Sequence, residues 1–287
     1  MIYNYKQLIL AVILQEYEEE ISMAFTEDLL LPSRGIVYQL PEFDGIVKVK
    51  PFTTKAYKDL LTSNASEAGL KQFVDTCLVD CPIKAKNMNQ HDFLAVLFKI
   101  RAITLGNLFK TQTTCPECGH VEDIERDLNE IEVNYLYADA YPISVKLPKS
   151  GVDIKVRLST GADVARAKQE ADRRAGIFNR PASDFLTTYT IVSLLDVGSK
   201  DIVEKAEWFE TLSPQDAIFI NSVQAKLTDA FGVKLLLEDK CSACDKVYKS
   251  SIDIWGDFFR PDADISLGIT SKAGNLAGPI EKSDISE

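Results

Sequence analysis

Two cysteine pairs set the strongest constraint on how this chain can fold. Cys115-Pro116-Glu117-Cys118 and Cys241-Ser242-Ala243-Cys244 have one spacing and lie on either side of residues 119–240. A pair separated by two residues can direct both thiolates at one ion from a tight turn. A structural zinc site, however, takes four ligands in a tetrahedron. Each pair is therefore half a site. The economical assignment is one four-cysteine centre made of Cys115, Cys118, Cys241 and Cys244, which requires the fold to bring two distant turns together. Classical zinc ribbons space their pairs by about 15–20 residues, so a purely local ribbon does not fit. A thioredoxin-type redox pair belongs at a strand-to-helix turn, and these pairs sit in polar, strand-like surroundings. An iron–sulfur centre held by four cysteines uses the same ligands. A variant with three cysteines and one histidine would recruit His120. Gly119 follows the first pair and permits positive φ, whereas Asp245 takes that place in the second.

The flanking sequence repeats in the same order. Leu31-Pro32-Ser33-Arg34-Gly35 has a partner in Leu147-Pro148-Lys149-Ser150-Gly151. Each precedes a short alternating strand, Val47 to Lys50 and Ile154 to Arg157, with apolar residues on one face. Hydroxyl residues come next, Thr53-Thr54 and Ser159-Thr160, and suit helix N-caps. A second helix start follows in each copy, Asn89-Gln90-His91-Asp92 and Ser213-Pro214-Gln215-Asp216. Proline at the first helical position and an acid in the first turn strengthen the latter. Gly106 and Gly232 then terminate the helices, each nine residues before its cysteine pair. This order predicts an α+β fold of two tandem related units, 23–140 and 141–260. Each is a small antiparallel sheet with helices, ending in a zinc-knuckle hairpin whose first example has arms at Thr111–Thr114 and Val121–Arg126. The stretch Arg173 to Pro181 reads as an exposed loop inserted in the second unit.

Residues outside the units carry weaker signals. The apolar run Leu8 to Leu14 is seven residues long, where a membrane-spanning helix needs about 20. Glu18-Glu19-Glu20 stands just before Met23, so residues 1–22 read either as an amphipathic helix or as an extension upstream of a start at Met23. Residues 261–287 are rich in Gly, Ser and Asp and read as a tail that orders on a partner. Trp255, Phe258 and Phe259 form an aromatic cluster suited either to an interface or to the second unit's own core. Cys77 and Cys81 stand four apart, a spacing that puts both on one helical face as buried packing residues.

Function classes narrow by exclusion. With 43 acidic against 32 basic residues the net charge is −11, opposite in sign to a general phosphate binder. Val121-Glu122-Asp123-Ile124-Glu125 beside the first knuckle would repel nucleic acid, which argues against a zinc-ribbon regulator of transcription. GxxxxGK[ST], GxGxxG, GxSxG and HExxH do not occur, and two histidines leave little acid–base chemistry. An enzyme is not expected.

The Leu-Pro-Ser-Arg-Gly-x-x-Tyr opening (Leu31 to Tyr38), the basic strand ending in Thr-Thr, the two helices and the Cys-Pro-x-Cys-Gly knuckle together carry a resemblance. They resemble the baseplate hub subunits of T-even-type contractile-tailed bacteriophages. The likeness covers residues 25 to 130 well and continues weakly to about residue 260. It implies a non-enzymatic tail-assembly protein, stabilised here by structural Zn2+. Such a protein is made in the host cytoplasm, partners other baseplate and hub proteins or its own copies, and contributes to the virion tail. Neither nucleic acid nor membrane is an implied partner.

Overall fold

The computed structural model describes residues 25–63, 66–178, 190–191, 193–195, 202–254 and 257–259. Residues 1–22, Met23, Trp255 and the tail 261–287 lie outside them. The first half runs β1 (Glu27–Leu30), β2 (Ile46–Val49), α1 (Thr54–Thr62), α2 (Glu67–Cys77), β3 (Leu78–Val79), α3 (Gln90–Leu105), β4 (Leu108–Thr114) and β5 (Val121–Asp127). After the short β6 (Val133–Asn134) come β7 (Ile143–Lys146), β8 (Asp153–Val156), α4 (Gly161–Phe178), β9 (Leu194–Leu195), α5 (Ile202–Glu210) and α6 (Pro214–Ala230). The last strands are β10 (Gly232–Val233), β11 (Leu236–Lys240) and β12 (Val247–Ser251). Among the described residues the fold is α+β, with small antiparallel sheets and these six α-helices.

Both halves build a three-stranded antiparallel sheet in the same order, β1-β2-β3 and β7-β8-β9. The LPxxG turn follows the first strand in each case. Buried faces alternate along β2 and β8 in one pattern, exposed then buried, as the sequence alternation requires. The expected caps form. Thr53 accepts the Ala56 amide, Asn89 the His91 amide and Ser213 the Asp216 amide. Thr160 Oγ1 accepts the Asp163 amide, while the Asp163 carboxylate accepts the Thr160 amide in return. This reciprocal pair is a capping box and starts α4.

One carboxylate per half ties helix to turn. Asp92, the third residue of α3, accepts the Ser33 amide at 2.8 Å and the Ser33 hydroxyl at 2.5 Å. Asp216, the third residue of α6, accepts the Lys149 and Ser150 amides at 2.8 and 3.0 Å. Ser33 and Lys149 hold the same place in their turns. Each carboxylate sits at the positive end of its helix and satisfies amides the turn leaves free. Burial raises the Asp92 carboxyl above the ordinary value despite its bonds from Ser33 and Tyr38. At Asp216 burial also raises, but the two amide bonds outweigh it and the net shift is downward.

The halves are not packed as separate bodies. The larger core joins β2, α2 and α3 of the first half to Val233, Ile252, Phe258 and Phe259 from the chain's far end. Phe258 is fully buried against Phe98 and Phe109, and Phe259 packs on Phe52 and Phe73. These two aromatics thus face neither a partner nor the second half's core. They complete the first. Buried Arg101 secures them: its Nε donates to the Phe258 carbonyl at 2.8 Å and its Nη1 to Gly106 at 2.6 Å. The second core lies between β8, α5 and α6, around Ile154, Val156, Leu194, Ala206 and Ile220. A third cluster bridges the halves through Val37, Leu136, Leu158, Leu227 and Phe231. Strand β6 pairs with β10 across the same junction.

Two local readings need correction. Helix α2 ends at Cys77 and the chain passes through β3, so Cys81 lies beyond the helix instead of on its face. Cys77 is buried, and burial pushes its thiol up to about 11. Cys81 donates to the Ile83 carbonyl. The segment from Arg173 to Phe178 is the last part of α4, not a loop, and 179–181 lie outside the described residues.

The equivalent glycines Gly106 and Gly232 have φ of 93° and 92°, but their surroundings differ. A Cβ on Gly106 meets nothing within 4 Å, whereas one on Gly232 would stand 2.1 Å from His91 Nδ1. Gly106 pairs this φ with ψ 167°, a region almost confined to glycine, so Gly106→Ala should lose about 1–3 kcal/mol from the backbone alone. Gly232→Ala should lose at least about 2 kcal/mol more, because the half-buried imidazole packed at a tilt against Phe231 must be displaced. Urea unfolding of the two variants measures this, and equal losses would contradict it.

Candidate metal centre

The knuckles form because each hairpin closes through the same pair of backbone bonds. Cys115 N–H donates to the His120 carbonyl at 2.8 Å, and Gly119 N–H to the Cys115 carbonyl at 2.9 Å. The second hairpin repeats this with Cys241 to Lys246 at 2.9 Å and Asp245 to Cys241 at 3.0 Å. Gly119 has φ 73° and Asp245 φ 60°, so Asp245 adopts the glycine's conformation at the glycine's position. Asp is among the few L-residues that tolerate it. Its departure from glycine leaves the turn intact.

The fold brings both knuckles to one point. Cys115 Sγ lies 3.8 Å from Cys244 Sγ, and Cys118 Sγ lies 3.7 Å from Cys241 Sγ. All four sulfurs fall within 4.8 Å of one another. Tetrahedral Zn–S bonds of about 2.3 Å require sulfurs roughly 3.8 Å apart, so the cage has the size of a single bound ion. Among the described residues no other group of three or more His, Cys, Asp or Glu side chains is so placed. His120 is exposed and contributes its carbonyl to the turn, not its ring to the cage. Cys115 and Cys241 are buried, Cys244 is partly so, and Cys118 faces solvent.

The electrostatics call for a cation. Backbone amides of Cys118 and Glu117 point at the Cys115 sulfur and bring its thiol down to about 7. The His120 amide lowers Cys118, and the Lys246 amide lowers Cys244. Burial and the neighbouring thiols outweigh both, leaving Cys118 raised and Cys244 pushed up to about 12. Four thiolates this close cannot all ionise without a compensating charge. A metal ion held by the four sulfurs would supply it.

A polar network docks one hairpin on the other. Arg126 of β5 donates two hydrogen bonds to Asp239 of β11, at 3.1 and 2.7 Å, and a third to Ser250 of β12 at 2.7 Å. Both charged side chains are about nine-tenths buried, at 10% and 8% exposure. Burial raises the Asp239 carboxyl, but the Arg126 and Ser250 bonds win and hold it below its ordinary value. That pair therefore stabilises docking fully above about pH 4 and loses its contribution as pH falls through the lowered value. Closer to the sulfurs, Tyr248 is buried against Cys115, Cys241 and Cys244. Its hydroxyl bonds Thr113 at 2.7 Å and Glu122 at 3.3 Å. Sequence patterning missed this network because Arg126, Asp239 and Tyr248 carry no spacing signal. Strand alternation puts each on its hairpin's inner face, yet only the docking shows what that face meets.

The sequence matches the family model described as T4 bacteriophage base plate protein over residues 33–260. The chain belongs to this base plate family. The match begins in the LPSRG turn at Ser33, includes both knuckles and continues past Phe259, so it takes in both halves of the fold. No curated protein and no solved structure matches the chain. No helix among the described residues of this base plate protein is long and apolar enough to cross a membrane.

Asp245 offers a direct check on the knuckle geometry. Its ion pair with Lys240 at 2.8 Å is exposed on both sides and contributes little. Asp245→Gly should therefore raise stability by about 1 kcal/mol, by removing the left-handed strain of a side chain. Thermal unfolding of the metal-loaded protein measures it. A fall in Tm would show that the carboxylate itself is needed.

Proposed function

We propose that this chain is a non-enzymatic structural component of the phage tail baseplate, contributing to its central hub, with one structural Zn2+ shared by its two halves. The observation that carries the reading is a base plate family match that spans both knuckles and everything between them. Cys115, Cys118, Cys241 and Cys244 are the proposed ligands. The ion would supply cross-linking and charge compensation rather than chemistry, since all four positions of a tetrahedron are filled by thiolates and none is left for substrate.

We further infer a tandem duplication with units 23–140 and 141–260. Support comes from the matched strand orders, the paired Asp92 and Asp216 bonds, the twin knuckles and the like glycines. A crossed exchange refines this picture: Phe258 and Phe259 belong to the second unit by sequence and to the first by packing. In such a protein the metal closes a loop of more than a hundred residues, a constraint that acts mainly on the unfolded chain. Assembly in the host cytoplasm, incorporation into the virion tail and contact with other baseplate proteins or further copies of this chain complete the proposal.

Two measurements test it. Affinity capture of the tagged chain from infected cells should recover other tail proteins, and recovery of RNA polymerase or DNA without tail components would overturn the baseplate reading. Elemental analysis of purified protein should give one zinc per chain. Two zincs would contradict the shared site, and iron with visible absorbance would replace zinc.

A further inference from the structure

The cysteine cage is built from two hairpins that could reach it in either of two ways. The metal could gather them, or the protein could hold them docked before any metal arrives. The geometry points to the second: we propose that Tyr248, Arg126 and Asp239 are positioning residues that keep the hairpins docked without metal, so that zinc enters a preformed cage. The proposal rests on the zinc reading above and adds how the site reaches its affinity.

Register supports it. Thr113 stands directly opposite Glu122 on the first hairpin, and Asp239 directly opposite Tyr248 on the second. Opposed residues of an antiparallel pair share a face, so all four belong to the inner surfaces. Arg126 and Ser250 lie on the same faces further from the cage. The result is two separate polar ties. Near the sulfurs, Tyr248 reaches from the second hairpin to Thr113 and Glu122 of the first. Glu122 in turn accepts the amide of Ser242, inside the second knuckle, at 3.4 Å. Farther out, Arg126 grips Asp239 and Ser250.

Neither tie uses a cysteine, so neither depends on metal. The outer tie is largely removed from water, where a bidentate guanidinium–carboxylate pair is strongest, and the inner tie is partly so. Tyr248 also forms part of the cage wall, against Cys115, Cys241 and Cys244. Its hydroxyl therefore fixes a ring that in turn limits where those sulfurs can go. Partners of this kind around metal ligands typically alter affinity about 10–100-fold when removed.

Two experiments on the full chain decide the matter. Zinc affinity is measured by competition with a chromophoric chelator. Tyr248→Phe keeps the ring and removes the hydroxyl, and the double variant Arg126→Met with Asp239→Leu removes the outer tie without leaving a buried charge alone. Each should bind zinc about 10–100-fold more weakly than the parent. Unchanged affinity in both tie variants would overturn the proposal. Hydrogen exchange of the metal-free parent is the second readout. Amides of β4, β5, β11 and β12 should stay protected without zinc and lose protection in the double variant. Rapid exchange in the metal-free parent would overturn the proposal even if the variants bind zinc poorly. If the parent takes up no zinc at all, the zinc reading fails, and the exchange measurement still decides whether the ties dock the hairpins.

Discussion

A two-stranded hairpin is marginally stable alone in water, and this protein carries two of them at distant points in its chain. Their docking is the interaction on which the rest of the architecture depends. Face to face, they bury Tyr248, the Arg126–Asp239 pair and the inner cysteines Cys115 and Cys241. Docking also sets the course of the chain on either side. Strand β6 leaves the first hairpin and pairs with β10, which leads into the second, so the junction of the halves continues directly from the hairpin pair. The chain leaving β12 then runs back into the first core through Ile252, Phe258 and Phe259.

The exchange of the C-terminal aromatics changes what the halves are. Phe258 fills a space among Phe98, Phe109 and the Arg101 guanidinium that the first half cannot fill itself. Cutting the chain between the halves would open that space. It would also orphan Arg101 from the Phe258 carbonyl. The halves are similar in plan yet interdependent in packing, and a metal held by the four cysteines would join the same two parts that the aromatics join. For a component of a larger assembly this is a rational way to obtain rigidity from short strands and modest cores. Stiffness comes from cross-connections rather than from the size of any one sheet.

Differences between the two halves have local physical causes. Asp245 replaces a glycine and still takes the left-handed conformation, because the amide-to-carbonyl bonds of the knuckle hold it there. Gly106 faces open space while Gly232 lies under the His91 ring, because only the second glycine falls at the junction. Asp92 and Asp216 make like bonds but shift in opposite directions. At Asp92 the cost of burial exceeds what the Ser33 and Tyr38 bonds return, whereas at Asp216 the bonds from Lys149, Ser150 and Ser213 outweigh it.

What the sequence by itself determined was everything governed by short-range rules. Cap residues, glycine stops, strand alternation and the Cys-x-x-Cys turns are decided within a few positions, and Thr53, Asn89, Ser213 and the two knuckles could be read directly. The pairing of the knuckles into one cage followed from ligand counting alone, because two cysteines leave a tetrahedral ion half coordinated. Long-range destinations were another matter. Helical spacing grouped Cys77 with Cys81, but the chain becomes extended at Leu78 and adds β3 to the edge of the first sheet. Nothing within reach of Arg173 marked a helix that persists to Phe178. Phe258 and Phe259 looked like surface anchors or second-half core, and tertiary structure sent them to the first half because the matching cavity was there. The Arg126–Asp239 and Tyr248–Glu122 ties were equally invisible. An inward-facing polar residue declares only its face, and its partner is chosen when two faces that are remote in sequence meet.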